Sequence, residues 1–169
     1  INFMSHEIFS AVNIFLNLHP MTKPVGKLIV IGGAVNKGSF AETDFDQNIE
    51  KNLNFFERGI LRKIINESKN KENSVIEIIT TASQIPQIVG SEYKKAFEFL
   101  GAKNVNILDI HNREEANSDA IVARANAADV VMFTGGDQLR LTSILGGTRF
   151  HDTILLKYQE QDFIYSGTS

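Results

Sequence analysis

Residues 129–136 read Asp-Val-Val-Met-Phe-Thr-Gly-Gly, a short apolar run that stops at two glycines. Such a run, rich in β-branched residues and ended by glycine, favours a strand over a buried helix. A run of the same kind, Lys27–Gly32, lies near the start of the chain. Between such runs, apolar residues recur every three or four positions, which predicts amphipathic helices. The alternation predicts an α/β fold: a parallel sheet with helices on both faces, in three layers.

The predicted elements follow one another without an internal repeat. The strands are Lys27–Gly32, Val75–Thr80, Asn104–Ile110, Asp129–Thr134 and Phe163–Tyr165, and the helices are Gln47–Ser68, Pro86–Leu100, Arg113–Ala127, Gly136–Leu145 and Thr148–Gln161. In parallel sheets, ligands bind at the carboxyl ends of the strands. We therefore expect Gly32, Ser83, Gly136 and Ser169 to converge at one edge of the sheet.

A difference in composition divides the chain into two segments. Residues 1–24 contain an apolar stretch, Ile8–Leu18, which is too short to cross a bilayer and has no Lys or Arg before it. We expect a short helix here that packs on the domain or on a second subunit. Residues 25–169 are predicted to form one α/β domain.

The composition argues against several classes of function. Seventeen Lys and Arg against 20 Asp and Glu give a net charge of −3, and their interspersed placement predicts neither a nucleic-acid surface nor a membrane surface. The chain has no Cys and four His, so we expect no disulfide framework and no structural zinc site. We expect no metal and no cofactor, and the lack of cysteine fits a cytoplasmic protein.

Two of the four loops at predicted strand ends are open to structural explanations. Gly32-Gly33-Ala34 with Lys37-Gly38 could be taken for a dinucleotide motif, but it lacks the G-x-G-x-x-G spacing. A nucleotide-binding domain that uses this loop stays an alternative. Thr80-Thr81-Ala82-Ser83 leads into a predicted helix, so its hydroxyls fit turn and capping chemistry as well as a site.

The other two loops follow the last two predicted strands. In Gly135-Gly136-Asp137-Gln138, the glycines let backbone N–H groups approach a ligand, and Asp137 and Gln138 offer polar contacts at a helix N-terminus. A simple N-cap explains Asp137 equally well. Gly167-Thr168-Ser169 is typical of the front half of a nucleophile elbow, in which a strand breaks and presents a serine. We expect the chain to end on its own nucleophile, as the first part of a longer protein.

Together these motifs resemble the cyanophycinase family of serine peptidases. The resemblance covers residues 26–169 and rests on Thr134–Ser143, Gly146–Thr148, Gly167–Ser169, Gly32–Ala34, Thr81–Pro86, Leu108–Ile110 and Arg113–Ala116. Its Gly-Gly-Asp-Gln stretch is specific, because related aspartyl dipeptidases of the peptidase E type usually have a Gly-Gly-Gly-Asn-like loop there. The chain departs from the family pattern at Ser166, where Ala is usual, and at Val35-Asn36, where an acidic residue often occurs.

The resemblance implies a class I glutamine-amidotransferase-like (flavodoxin-like) fold, truncated at the nucleophile elbow. It also implies hydrolysis of β-aspartyl peptide bonds, as in the aspartate–arginine polymer cyanophycin or β-Asp-Arg peptides. Ser169 would be the nucleophile, and the oxyanion hole and substrate contacts would come from Gly135, Gly136, Asp137, Gln138, Thr168 and Ser83. The implied partner is a peptide or cyanophycin-like polymer, and we expect a homodimer.

The resemblance places the catalytic His and its acid after the elbow, so we expect this chain alone to be inactive. His111 and His151 are weak substitutes, since a solitary His in a loop or helix is usually an ordinary polar residue. Two further alternatives stay open beside the nucleotide-binding domain. One is a catalytically dead relative or a small-molecule-binding domain of the same fold, and the other is an α-aspartyl dipeptidase of the peptidase E type.

Overall fold

The computed structural model describes residues 23–32 and 55–169. The strands are Lys27–Ile31 (β1), Val75–Ile79 (β2), Asn104–Leu108 (β3), Val130–Phe133 (β4) and Ile164–Thr168 (β5). The helices are Phe55–Glu67 (α1), Pro86–Phe99 (α2), Arg113–Ala116 (α3), Asp119–Ala127 (α4), Gln138–Leu145 (α5) and Arg149–Glu160 (α6), with a 3₁₀ turn at Lys71–Asn73. The helix predicted before residue 23 and the first residues of the helix predicted from Gln47 lie outside the described residues.

The described strands form one sheet in the order β1-β5-β4-β2-β3. Every pairing is parallel: Ile31 lies opposite Thr168, Phe133 opposite Gly167, and Ile79 opposite both Phe133 and Leu108. Because all five strands run in one direction, their carboxyl ends share one edge of the sheet. The predicted α/β fold with a parallel sheet is confirmed.

Helices cover the sheet on both faces, as predicted. On one face, Ile78 and Met132 belong to a buried cluster with residues of α1 and α2, such as Phe97. On the other face, Val131 belongs to a cluster with residues of α4, α5 and α6, such as Phe150. Successive side chains of a strand point to opposite faces, so an unbroken apolar strand supplies both cores.

The helix predicted over Arg113–Ala127 is two helices, so that prediction was wrong in detail. The first helix ends at Ala116, and Ser118 caps the second with an extended backbone. The Ser118 hydroxyl accepts a hydrogen bond from the N–H of Ile121 (3.4 Å). A serine that caps the following turn competes with a continuous helix, because its side chain replaces a helical backbone partner.

The last strand was predicted over Phe163–Tyr165, but β5 begins at Ile164 and continues to Thr168. Ser166 is fully buried within it, and its hydroxyl donates to the Val131 carbonyl (2.9 Å). The polar side chain is tolerated in the core because its hydrogen bond is satisfied. Ser169 consequently follows the final residue of the strand directly.

Among the described helices, none is long and apolar enough to cross a membrane.

Candidate active site at the carboxyl edge

The loop after β4 contacts the loop after β2. The N–H of Asp137 donates to the Ala82 carbonyl (2.9 Å). Gly136 has φ of 150°, and a Cβ built there would overlap the same carbonyl group. Glycine is therefore required at position 136 both by its backbone conformation and by the close approach of another backbone.

The same loop also contacts the end of β5. A Cβ built on Gly135 would overlap the carbonyl oxygen of Ser169 and lie 3.4 Å from Thr168 Oγ1. On the opposite side, the N–H of Ser169 donates to the Ile31 carbonyl at the end of β1 (3.3 Å). Ser169 thus lies between the end of β1 and the double-glycine loop, and its side chain is exposed.

Asp137 is the N-cap of α5. Its Oδ1 accepts hydrogen bonds from the N–H groups of Leu139 (2.8 Å) and Arg140 (3.1 Å). Because its own N–H is bonded to Ala82, both polar ends of Asp137 have structural partners. The neighbouring Gly136 N–H donates to no described residue, and neither do the N–H groups of Gly135 and Gln138, so these backbone donors of the loop remain available to a ligand.

The remaining predicted contact residues differ in their surroundings. Ser83 is buried, its N–H donates to the Thr80 carbonyl (2.8 Å), and its Oγ accepts from the N–H of Ile85 (3.1 Å). This is the turn chemistry that the sequence left open for Ser83. Gln138 begins α5 and is exposed, and no hydrogen bond joins its side chain to a described residue.

Neither His111 nor His151, the two histidines considered as the catalytic base, has a hydrogen bond to Ser169. His111 follows β3, and its Nε2 lies 3.7 Å from Asp109 Oδ2. Strands β3 and β5 are three strand spacings apart, which is roughly 14 Å, so His111 lies beyond hydrogen-bonding reach of Ser169. His151 Nδ1, near the start of α6, lies 3.9 Å from Asp152 Oδ1.

Other parts of the described structure carry no comparable site. A cavity of about 580 Å³ lies beside β2 and β3, lined among others by Glu77, Lys94 and Arg124. It contains none of the predicted site residues. Within residues 23–32 and 55–169, no group of three or more His, Asp or Glu side chains could hold a metal ion.

Comparisons with known proteins assign the chain to a family. The model of Peptidase family S51 matches residues 45–169. Cyanophycinases from Nostoc sp. PCC 7120 and Trichormus variabilis are each 38% identical to the chain over 112 residues, which cover 66% of this chain and 37% of each relative. The cyanophycinase from Geminocystis herdmanii is 31% identical over 97 residues. The chain therefore spans about 37% of the length of the first two relatives.

Two solved structures share the fold. A peptidase from an acI-B1 Actinobacterium superposes with a TM-score of 0.55 at 22% identity, covering 86% of this chain and 55% of that one. A putative peptidase E protein from Listeria monocytogenes EGD-e superposes with a TM-score of 0.51 at 23% identity, covering 66% of this chain and 54% of the other. Both likenesses concern the α/β fold.

Proposed function

Because the chain belongs to peptidase family S51, as its motifs predicted, we propose that it carries the nucleophile of a serine peptidase that hydrolyses β-aspartyl bonds. The nucleophile is Ser169. One arrangement supports this assignment above all others: the backbone of Ser169 lies against Gly135, and the next residue, Gly136, has an N–H without a partner among the described residues. Acyl transfer requires a hydroxyl beside amide donors in this way.

The proposed chemistry is the usual two-step acyl transfer. Ser169 Oγ loses its proton to a base and adds to the β-carbonyl carbon, whose oxygen becomes an oxyanion. The C–N bond then breaks, the amine leaves with a proton, and water hydrolyses the acyl-enzyme. We assign the Gly136 N–H as one oxyanion donor, with the backbone N–H of the residue that follows the nucleophile in such elbows as the second.

The base and its acid are proposed to come from sequence beyond Ser169, as the family resemblance implies. The position of His111 supports this assignment, because strand spacing puts it about 14 Å from the end of β5. The 169-residue chain alone is consequently expected to hydrolyse substrate at least about a thousandfold more slowly than a complete enzyme, as when a triad member is lost.

Substrate contacts are proposed for two residues around the nucleophile, Gln138 and Thr168. Gln138 lies at the start of α5, and its free amide can bind the backbone or free carboxylate of a peptide. Thr168 precedes the nucleophile and lies beside Gly135. We extend the proposal to a peptide or cyanophycin-like polymer as substrate, a homodimer and a cytoplasmic location, each of which was expected from the sequence.

The test compares wild type with Ser169→Ala in the protein translated from the complete open reading frame. Cleavage of a β-Asp-Arg dipeptide and of cyanophycin is followed by release of free arginine or dipeptide. We expect turnover by wild type and none by Ser169→Ala, with unchanged circular dichroism. Equal rates in both proteins would remove Ser169 from the mechanism.

The same assay separates the alternatives. An α-Asp dipeptide included in parallel would be the preferred substrate of a peptidase E type enzyme. Cleavage of neither linkage by wild type would favour a catalytically dead relative. Binding of a nucleotide by wild type, with no hydrolysis, would support the Gly32-Gly33 motif as the functional site instead.

A further inference from the structure

Three polar side chains at the carboxyl edge have buried oxygen atoms without a hydrogen-bond partner among the described residues: Thr80, Thr134 and Asp109. The Asp109 side chain is 11% exposed, and its Oδ2 also lies 3.7 Å from His111 Nε2, beyond hydrogen-bond distance. Thr80 is 0% exposed and Thr134 2%. A buried polar group left unpaired costs free energy, so three of them at one edge call for an explanation.

The strand register places these residues in a single line. Ile79 pairs with Leu108 and with Phe133. One residue further along each strand, the same register aligns Asp109, Thr80 and Thr134. Backbone hydrogen bonds continue the ladder to this level, from Thr80 N–H to the Leu108 carbonyl (3.3 Å) and from Thr134 N–H to the Ile79 carbonyl (3.0 Å).

The line continues to the residue before the proposed nucleophile. Phe133 pairs with Gly167, so Thr134 is aligned with Thr168. We call Asp109, Thr80, Thr134 and Thr168 the edge row. It crosses β3, β2, β4 and β5, with neighbouring positions about 4.8 Å apart.

Alternation along the strands puts the edge row on one face of the sheet, the face covered by α1 and α2. The Thr80 Cγ2 lies 3.1 Å from a Cβ built on Gly90 of α2, which places its side chain on this face. One row further into the sheet, Ser166 Oγ lies 3.2 Å from Met132 Sδ. Side chains of adjacent strands therefore reach each other on this face.

We propose that the edge row is one continuous hydrogen-bonded chain that fixes Thr168 and so positions Ser169. Rotation of a hydroxyl-bearing side chain, or one ordered water between neighbours, closes each 4.8 Å step. The catalytic consequence rests on the proposed role of Ser169. The existence of the hydrogen-bonded chain does not depend on that role.

The carboxylate of Asp109, at one end of the edge row, sets the direction in which the hydrogen bonds are donated. A carboxylate only accepts hydrogen bonds, whereas a threonine hydroxyl both donates and accepts. The hydroxyl of Thr80 therefore donates to Asp109, Thr134 donates to Thr80, and Thr168 donates to Thr134, with each bond polarising the next. Asp109 is thus a positioning residue that acts on Ser169 through three threonines.

Paired substitutions at Thr80 and Thr134 test whether the hydroxyls are bonded. Valine keeps the shape of threonine and removes the hydroxyl, while serine keeps the hydroxyl and removes a methyl group. A bonded hydroxyl predicts that Thr134→Val raises the unfolding equilibrium constant roughly fivefold more than Thr134→Ser, and the same order at Thr80. The opposite order, with valine the more stable variant, would show orphan hydroxyls and overturn the proposal.

A double-mutant cycle tests whether the row is continuous. Asp109 and Thr168 are about 14 Å apart by strand spacing, a separation at which effects on unfolding normally add. We expect Asp109→Asn and Thr168→Val together to raise the unfolding constant at least about threefold less than the product of their separate effects. Additivity would overturn the proposal. Asp119→Asn, at an exposed carboxylate that pairs with Arg149, is the matched control and should add to Thr168→Val.

The positioning role is tested in the protein from the complete open reading frame. Thr134→Val should lower kcat about tenfold with KM unchanged, and Thr134→Ser should restore most of it. Equal kcat in wild type and Thr134→Val would overturn the positioning role. If wild type hydrolyses no substrate, the proposed function fails, and the unfolding measurements on the threonine variants still decide whether the row exists.

Discussion

Ser169 and Gly135 are in backbone contact: the carbonyl group of Ser169 occupies the space that a side chain at position 135 would need. The contact joins the end of β5 to the loop after β4, although the two residues are 34 positions apart in the sequence. It brings a hydroxyl-bearing residue beside the glycine loop, and the next glycine makes a second close contact with Ala82. Because Gly135 and Gly136 have no side chains, the ends of β2, β4 and β5 can come into contact.

Substitution of either glycine should damage this junction. We expect Gly135→Ala to cost about 1–3 kcal/mol of unfolding free energy, since Cβ would overlap the Ser169 backbone. Gly136→Ala should cost more, because φ of 150° adds backbone strain to the overlap with Ala82. Urea unfolding measures both. The control is Gly59→Ala in α1, where a Cβ meets nothing within 4 Å and the helix should gain about 0.5–1 kcal/mol. A tolerated Gly136→Ala would contradict the description of the loop.

In the protein from the complete open reading frame, Gln138→Ala should reduce peptide hydrolysis modestly. Its side chain is exposed beside the proposed site and bonds to no described residue. One lost substrate contact of about 0.5–1.5 kcal/mol would therefore lower kcat/KM roughly twofold to twelvefold. Stability should not change. Gln159→Ala, at an exposed position near the C-terminal end of α6, is the matched control and should leave kcat/KM as in wild type. A loss as large as that of Ser169→Ala would mean that Gln138 takes part in the chemistry itself.

Arg124→Met should destabilise the fold strongly. Glu77 is 3% exposed within β2, and Arg124 donates to its two carboxylate oxygens and to the Ile107 carbonyl (3.0 Å). Removal of the arginine leaves a buried charge unpaired, at a cost of about 3 kcal/mol. The double variant Glu77→Leu with Arg124→Met should recover much of that loss. Asp119→Asn, which breaks an exposed pair with Arg149, should change stability by less than about 1 kcal/mol. Equal small effects in both pairs would contradict this account.

Lys157→Met tests a buried ammonium group. Lys157 is 5% exposed, and its Nζ donates to the carbonyls of Ala125, Asn126 and Ala128, where α4 ends. Burial lowers the pKa of this lysine from its usual value of 10.5, and the charge of Asp129 opposes that shift. Loss of the ammonium leaves carbonyl groups without their donor, which should cost about 1–3 kcal/mol. Lys95→Met, at an exposed position of α2, is the control. An unchanged unfolding midpoint in Lys157→Met would show that water replaces the ammonium freely.

Tyr165→Phe should change the pH dependence of stability. Burial raises the pKa of Tyr165 above its usual value of 10.0, because the tyrosinate would be poorly solvated. Unfolding therefore releases a proton above pH 10, so stability is present below pH 10 and is lost as the pH rises towards the folded-state pKa. Tyr165→Phe should lose less stability than wild type in this window. The comparison uses urea unfolding of wild type and Tyr165→Phe at pH 8 and above pH 10. Identical slopes for Tyr165→Phe and wild type would contradict the burial effect.

The order of strands and helices, the parallel sheet and its two cores could be predicted from the sequence. Short apolar runs such as Val130–Phe133 can bury both faces only in a sheet that is covered on both sides. This pattern lies within a few consecutive residues, so the sequence alone reveals it. The family also followed from the sequence, because the Gly-Gly-Asp-Gln and Gly-Thr-Ser motifs are contiguous stretches. The break at Ser118 was missed, because a cap competes with a helix only once the chain must turn there.

The tertiary structure alone decided which groups meet. Backbone contacts of Gly135 with Ser169 and of Gly136 with Ala82 join residues that are distant in sequence, so no local pattern contains them. The structure likewise assigned Asp137 to the cap of α5 and Ser83 to a turn. It also aligned Asp109, Thr80 and Thr134 through a register that a single strand does not encode. The physical reason is that propensity and periodicity act over a few residues, whereas register and loop packing depend on free energies shared between strands.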